Sequence, residues 1–106
     1  MAEIELKSQI DFEMTINEGV TLVDFSAPWC GPCHAQEPII HALGESYNGR
    51  ANIAKMNIDD IGGVALKLGI QSIPTLIIFK DGREIHRFVG LQKAETLNQA
   101  MDQALA

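Results

Sequence analysis

The feature that most constrains this chain is a junction. The apolar run Val20 to Ala27 (VTLVDFSA) passes directly into Pro28-Trp29-Cys30-Gly31-Pro32-Cys33, and a helical stretch to about Tyr47 follows. A nearly continuous apolar run reads as a strand covered on both faces, as in a parallel sheet. Parallel neighbours need a crossover, usually a helix. The junction therefore predicts an α/β fold, and in such folds the working site lies beyond the carboxyl ends of the parallel strands. Both cysteines fall at that place. Pro38 lies within the helix, where its missing N–H predicts a kink, and Asn48-Gly49 closes the segment.

The rest of the chain fits the same plan. Residues 8–18 carry a cap at Ser8 and a stop at Gly19, which favour helix, although Ile10, Phe12, Met14 and Ile16 alternate as in a strand. We assign helix. Ala51 to Ile58 reads as a second buried strand. Asp59 or Asp60 is placed to cap a short helix that Gly69 ends. Thr75 to Phe79 is a third core strand, entered through Pro74. Asp81-Gly82 predicts a two-residue hairpin, with Glu84 to Val89 as the return strand. Leu97, Ala100, Met101, Ala104 and Leu105 recur with the period of an amphipathic closing helix. The expected architecture is a central mixed sheet with helices on both faces.

A chain of 106 residues suggests one domain, 1–106. Its net charge of −6 argues against nucleic-acid and anionic-membrane partners, which need Lys and Arg to neutralise phosphate. No apolar run approaches the ~20 residues of a membrane span. The start, Met1 to Lys7, alternates acidic and apolar residues and lacks the basic head and apolar core of a leader, so the expected location is cytoplasmic. In that compartment a stable structural disulfide is disfavoured.

Four readings of Cys30 and Cys33 compete. As a redox dithiol, Cys30 would begin a helix, where free N–H groups and the dipole favour a thiolate, and Cys33 would lie a turn further in to resolve the mixed disulfide. Pro32 suits a first helical turn. A structural zinc site needs about four ligands, and His34, His41 and His86 supply no recognisable second pair. Cys30-Gly31-Pro32-Cys33-His34 matches the c-type haem attachment pattern, but it sits between a strand and a helix in an α/β plan. Two incidental buried thiols are the fourth reading, against which stand their spacing and the adjoining Trp and Pro. The dithiol reading needs neither metal nor cofactor.

Trp29-Cys30-Gly31-Pro32-Cys33 resembles the active-site segment of the thioredoxin family. Val23-Asp24-Phe25, Lys55-Met56-Asn57-Ile58-Asp59, Ile73-Pro74-Thr75, Lys80-Asp81-Gly82 and Val89-Gly90 extend the resemblance along nearly the whole chain. It implies a thioredoxin fold and a protein-disulfide reductase and electron carrier, with Cys30 attacking and Cys33 resolving. It makes Asp24 a buried carboxylate that moves a proton to or from Cys33, Lys55 its neighbour, and Pro74 a cis-proline facing the disulfide. Trp29, Ile73, Pro74, Val89 and Gly90 would present an apolar groove to protein substrates, with Gly31 and Pro32 completing the motif. The implied partners are disulfide-bearing proteins and a thioredoxin reductase, and the implied state is a monomer.

Physical chemistry bears on several of these positions separately. A carboxyl within VTLVDFSA is expected to be desolvated, which raises its pKa towards neutrality and lets it exchange protons near pH 7; the other reading of Asp24 is a solvated, inert residue at the strand end. Lys55 can instead snorkel to solvent. The chain departs from the family pattern in several places, Ser26 and His34 among them. Ser26 stands where many members have tryptophan, which alters packing under the site. His34 stands where Lys or Arg is common: either it is an exposed helix residue with no effect on the site, or a protonated imidazole there favours the Cys30 thiolate and reactivity varies between about pH 6 and 7.5.

Overall fold

The computed structural model describes residues 3–106. Met1 and Ala2, which belong to the expected 1–106 domain and to the leader argument, lie outside the described residues.

Five strands form one mixed sheet in the order β1-β3-β2-β4-β5. They are β1 (Glu3–Leu6), β2 (Val20–Ser26), β3 (Asn52–Asn57), β4 (Thr75–Lys80) and β5 (Arg83–Val89). β1 and β2 each run parallel to β3, while β4 is antiparallel to both β2 and β5. Helices α1 (Gln9–Ile16), α2 (Gly31–Ser46), α3 (Gly62–Lys67) and α4 (Ala94–Leu105) complete the fold.

Strand alternation divides the core into two layers. Val23 and Phe25 of β2 pack with Ala54, Met56, Ile77 and Phe79 under Phe12 and Ile16 of α1 and Val64 of α3. Val20 and Leu22 pack with Ile53, Leu76 and Ile78 under Ile40 and Leu43 of α2 and Leu97 and Met101 of α4. Asp24 shares the second face with Leu22.

Most elements match the sequence reading within a residue or two. β1 is an addition. The alternation of Ile4 and Leu6 with Glu3 and Glu5 is its signal, and a four-residue charged edge strand is a weak one. The alternation in residues 8–18 does not make a strand. Ser8 Oγ accepts the Asp11 N–H at 3.0 Å, and Phe12 and Ile16, four residues apart, face the core while Ile10 and Met14 stay exposed. Neither Asp59 nor Asp60 caps α3; Ile61 holds that position without a side-chain cap bond. α2 continues through Pro38 as one helix. At the hairpin, Asp81 and Gly82 both adopt positive φ, 51° and 86°, as a type I′ turn requires.

Candidate active site

Register brings three separated segments to one end of the sheet. Phe25 near the end of β2 pairs with Thr75 at the start of β4, and Thr75 pairs with Val89 at the end of β5. The loops next to these residues are therefore neighbours: 27–30 after β2, 73–74 before β4 and 90–93 after β5.

Cys30 is the N-cap of α2, and its Sγ accepts the Cys33 N–H at 3.2 Å. A thiolate there meets an N–H donor and the positive end of a sixteen-residue helix. Cys33, inside the first turn, faces inward and is 2% exposed. The two cysteines form a disulfide with Cα atoms 5.3 Å apart. The Ile73–Pro74 bond is cis, and the Ile73 carbonyl oxygen lies 3.8 Å from Cys30 Sγ.

Asp24 lies on the sheet face covered by α2 and is fully buried. Neither carboxylate oxygen has a hydrogen-bond partner. Burial pushes its pKa up to about 7, from 3.8, and the Lys55 ammonium opposes the rise. The reading of Asp24 as a solvated strand-end residue is thus excluded. Lys55 is its register partner on β3 and lines a cavity of about 200 Å³ with Ser26, Ala27, His34 and Glu37. Ser26, where many family members carry tryptophan, thus borders open space.

The exposed rim is apolar. Trp29 is 69% exposed and Val89 62% exposed, and half-buried Ile73 and Gly90 belong to the same rim. Pro74 is itself buried, so it supports this surface from beneath. The Trp29 indole N–H donates to Asp59 Oδ2 at 2.9 Å, which gives Asp59 a partner that the sequence reading does not supply. His34 Nε2 lies 2.7 Å from the Pro28 carbonyl oxygen and its Nδ1 3.4 Å from Glu37, so its contacts lead away from the disulfide.

Sequence reasoning also misses Gln36. It is fully buried on α2, one turn beyond Cys33, and both ends of its amide bond the backbone of Gln92. The only sequence signal is a polar residue on the apolar stripe Cys33, Ile40, Leu43.

A cysteine pair in disulfide contact at a helix start, with an exposed apolar rim beside it and a buried titratable carboxyl on the sheet face that the same helix covers, defines a thiol–disulfide oxidoreductase. The thioredoxin family model matches residues 3–103, and the chain belongs to the thioredoxin family. It is 43% identical over 95 residues to thioredoxin of Staphylococcus aureus strain Mu50, a match covering 90% of this chain and 91% of that protein. Its structure superposes on a mutant thioredoxin of Halobacterium salinarum NRC-1 with a TM-score of 0.92 at 30% identity, covering 98% of this chain and 91% of that one. Malassezia sympodialis thioredoxin matches with a TM-score of 0.88 at 27% identity, covering all of this chain and 94% of the other. The chain is accordingly a protein-disulfide reductase working through Cys30 and Cys33.

Proposed function

We propose that the reduced protein docks a disulfide-bearing protein over Trp29, Ile73, Val89 and Gly90, with Pro74 supporting the surface, and that Cys30 attacks first. The Cys30 thiolate displaces one substrate sulfur as a thiolate, which takes up a proton, and a mixed disulfide remains. Cys33 then loses its proton with help from Asp24 and attacks Cys30 Sγ. The second substrate sulfur leaves as a thiol, and the two cysteines end as the disulfide seen in the structure. Two electrons have passed to the substrate.

The observation that carries this division of labour is the N-cap position of Cys30, whose sulfur already accepts an N–H. Asp24 suits proton exchange because its carboxyl, raised to about 7, is held in both protonation states near neutral pH. Lys55 keeps it there by offsetting part of the desolvation. The Ile73 carbonyl, beside the sulfur, is placed to pair with an extended substrate backbone. Gly31 and Pro32 start the helix between the two thiols. The chain works as a single domain over residues 1–106 and as a monomeric cytoplasmic electron carrier, re-reduced by a thioredoxin reductase. Its charge of −6 offers nothing to nucleic acid or an anionic membrane.

Trapping tests the order of attack. Cys33→Ser is expected to accumulate mixed disulfides through Cys30, seen by mass spectrometry after acid quench. Better trapping by Cys30→Ser would reverse the roles.

A further inference from the structure

A closed circuit of contacts runs around the redox pair, and Gln36 is its one buried polar side chain. Gln36 Oε1 accepts the Gln92 N–H at 2.8 Å, and its Nε2 donates to the Gln92 carbonyl at 3.1 Å. This is the pairing that a strand neighbour would give, supplied by a side chain. The Gln92 side chain then donates to the Gly90 carbonyl at 3.1 Å. The Gly90 N–H donates to the Pro74 carbonyl at 2.8 Å, and the preceding carbonyl, Ile73, faces Cys30 Sγ. Cys30 in turn caps the helix that carries Gln36.

The energetics give this arrangement a direction. Residues 90–93 between β5 and α4 form no regular structure. Gly90 has a φ of 93°, so local chain preference does not fix the loop's course. Buried backbone groups must find partners, and here Gln92 finds both of its partners on α2. An apolar side chain at position 36 would fill the same space but leave the Gln92 N–H and C=O unpaired. The loop would have to lift towards water to satisfy them.

We propose that Gln36 is a positioning residue: it ties the Val89–Gly90 edge of the docking surface to the active-site helix, and so sets affinity for protein disulfides. It touches neither sulfur nor substrate. The inference rests on the docking surface proposed above. It predicts an effect mainly on binding rather than on bond exchange, because the loop meets the substrate protein and itself makes no bond to either sulfur.

The experiment measures initial rates of insulin disulfide reduction over a range of insulin concentrations, with dithiothreitol as electron source. Gln36→Leu is expected to raise KM about five- to tenfold, with kcat within about twofold, as loss of one or two net hydrogen bonds would give. Gln92→Ala keeps both backbone bonds to Gln36 and loses only the tie to Gly90, so its KM should rise less. Its half-buried side chain makes it the variant to read should Gln36→Leu fold poorly. An unchanged KM in both variants, or a fall in kcat alone, overturns the proposal. Val89→Asp separates the two ideas. If it raises KM while the Gln variants do not, the docking surface stands and the role of Gln36 falls; if no variant raises KM, both fall.

Discussion

The two faces of the sheet treat buried polarity differently. On the α1/α3 face the buried polar side chains are threonines, and each hydroxyl has a carbonyl partner: Thr21 to Thr15 at 3.2 Å and Thr75 to Ser72 at 2.6 Å. The other buried side chains described in that layer are apolar. The α2/α4 face holds Asp24 and Gln36, both fully buried. Each end of the Gln36 amide has a backbone partner, whereas neither Asp24 carboxylate oxygen has a hydrogen-bond partner. A face whose polar groups are all satisfied serves stability, and one that tolerates an unpaired carboxyl gives up stability where chemistry needs it.

Substitutions on the two faces should therefore move stability in opposite directions. Phe25→Ala removes a fully buried ring in tilted contact with Phe12 and is expected to cost about 3–5 kcal/mol. Insulin reduction well below the new melting temperature should keep its rate. A rate loss matching the stability loss would mean that the faces do not divide the work.

Asp24→Asn should do the reverse. In the folded chain the carboxyl has a pKa of about 7, against 3.8 for an ordinary aspartate. Between those values the folded state holds a proton that the unfolded state has released, so stability falls as pH rises through this window and levels off above about 7. The amide does not ionise. The variant should thus be more stable than the parent by about 2–4 kcal/mol at pH 8, with the gap closing towards pH 4. Denaturant melts across that range give the curve. A gap independent of pH would show that Asp24 is not the titrating group.

The same variant should reduce insulin at least about tenfold more slowly at pH 7, because resolution by Cys33 loses its proton acceptor. The parent's dependence on pH near 7 should flatten. Rates equal to the parent's from pH 6 to 9 would leave Asp24 a structural burden only and would make the contrast between the faces one of stability alone.

The same contrast explains how much of the molecule is legible in its sequence. Val20 to Ala27 and Thr75 to Phe79 announce themselves because strands covered on both faces are apolar throughout, and Asp81-Gly82 because few residues tolerate two positive φ values. Asp24 is visible as the flaw in an apolar run, so its burial can be inferred without a structure. Gln36 is not, because one polar residue on a helix stripe reads as a surface residue until the loop that it holds is seen. Asp59 reads locally as a cap for the helix that follows it, whereas its side chain bonds the Trp29 indole thirty residues earlier. Local rules find caps and turns. They do not find side chains whose partners are set by strand order.

His34 tests how far the polar face extends. A cation at this position would favour the Cys30 thiolate, and the sequence alone suggests a reactivity that varies with its protonation. The structure weakens that coupling. The His34 Nε2 faces the Pro28 carbonyl oxygen at 2.7 Å and its Nδ1 faces Glu37 at 3.4 Å. A carboxylate that close offsets the field of the imidazolium, and both side chains are at least half exposed, where water and salt screen the remainder. His34→Gln keeps a donor for the Pro28 carbonyl and removes the ionisable ring. It should alter the rate of Cys30 alkylation by less than about twofold from pH 6 to 7.5. A larger change that Glu37→Gln amplifies in the parent would mean that the imidazolium does act on the thiolate, and that Glu37 normally holds it in check.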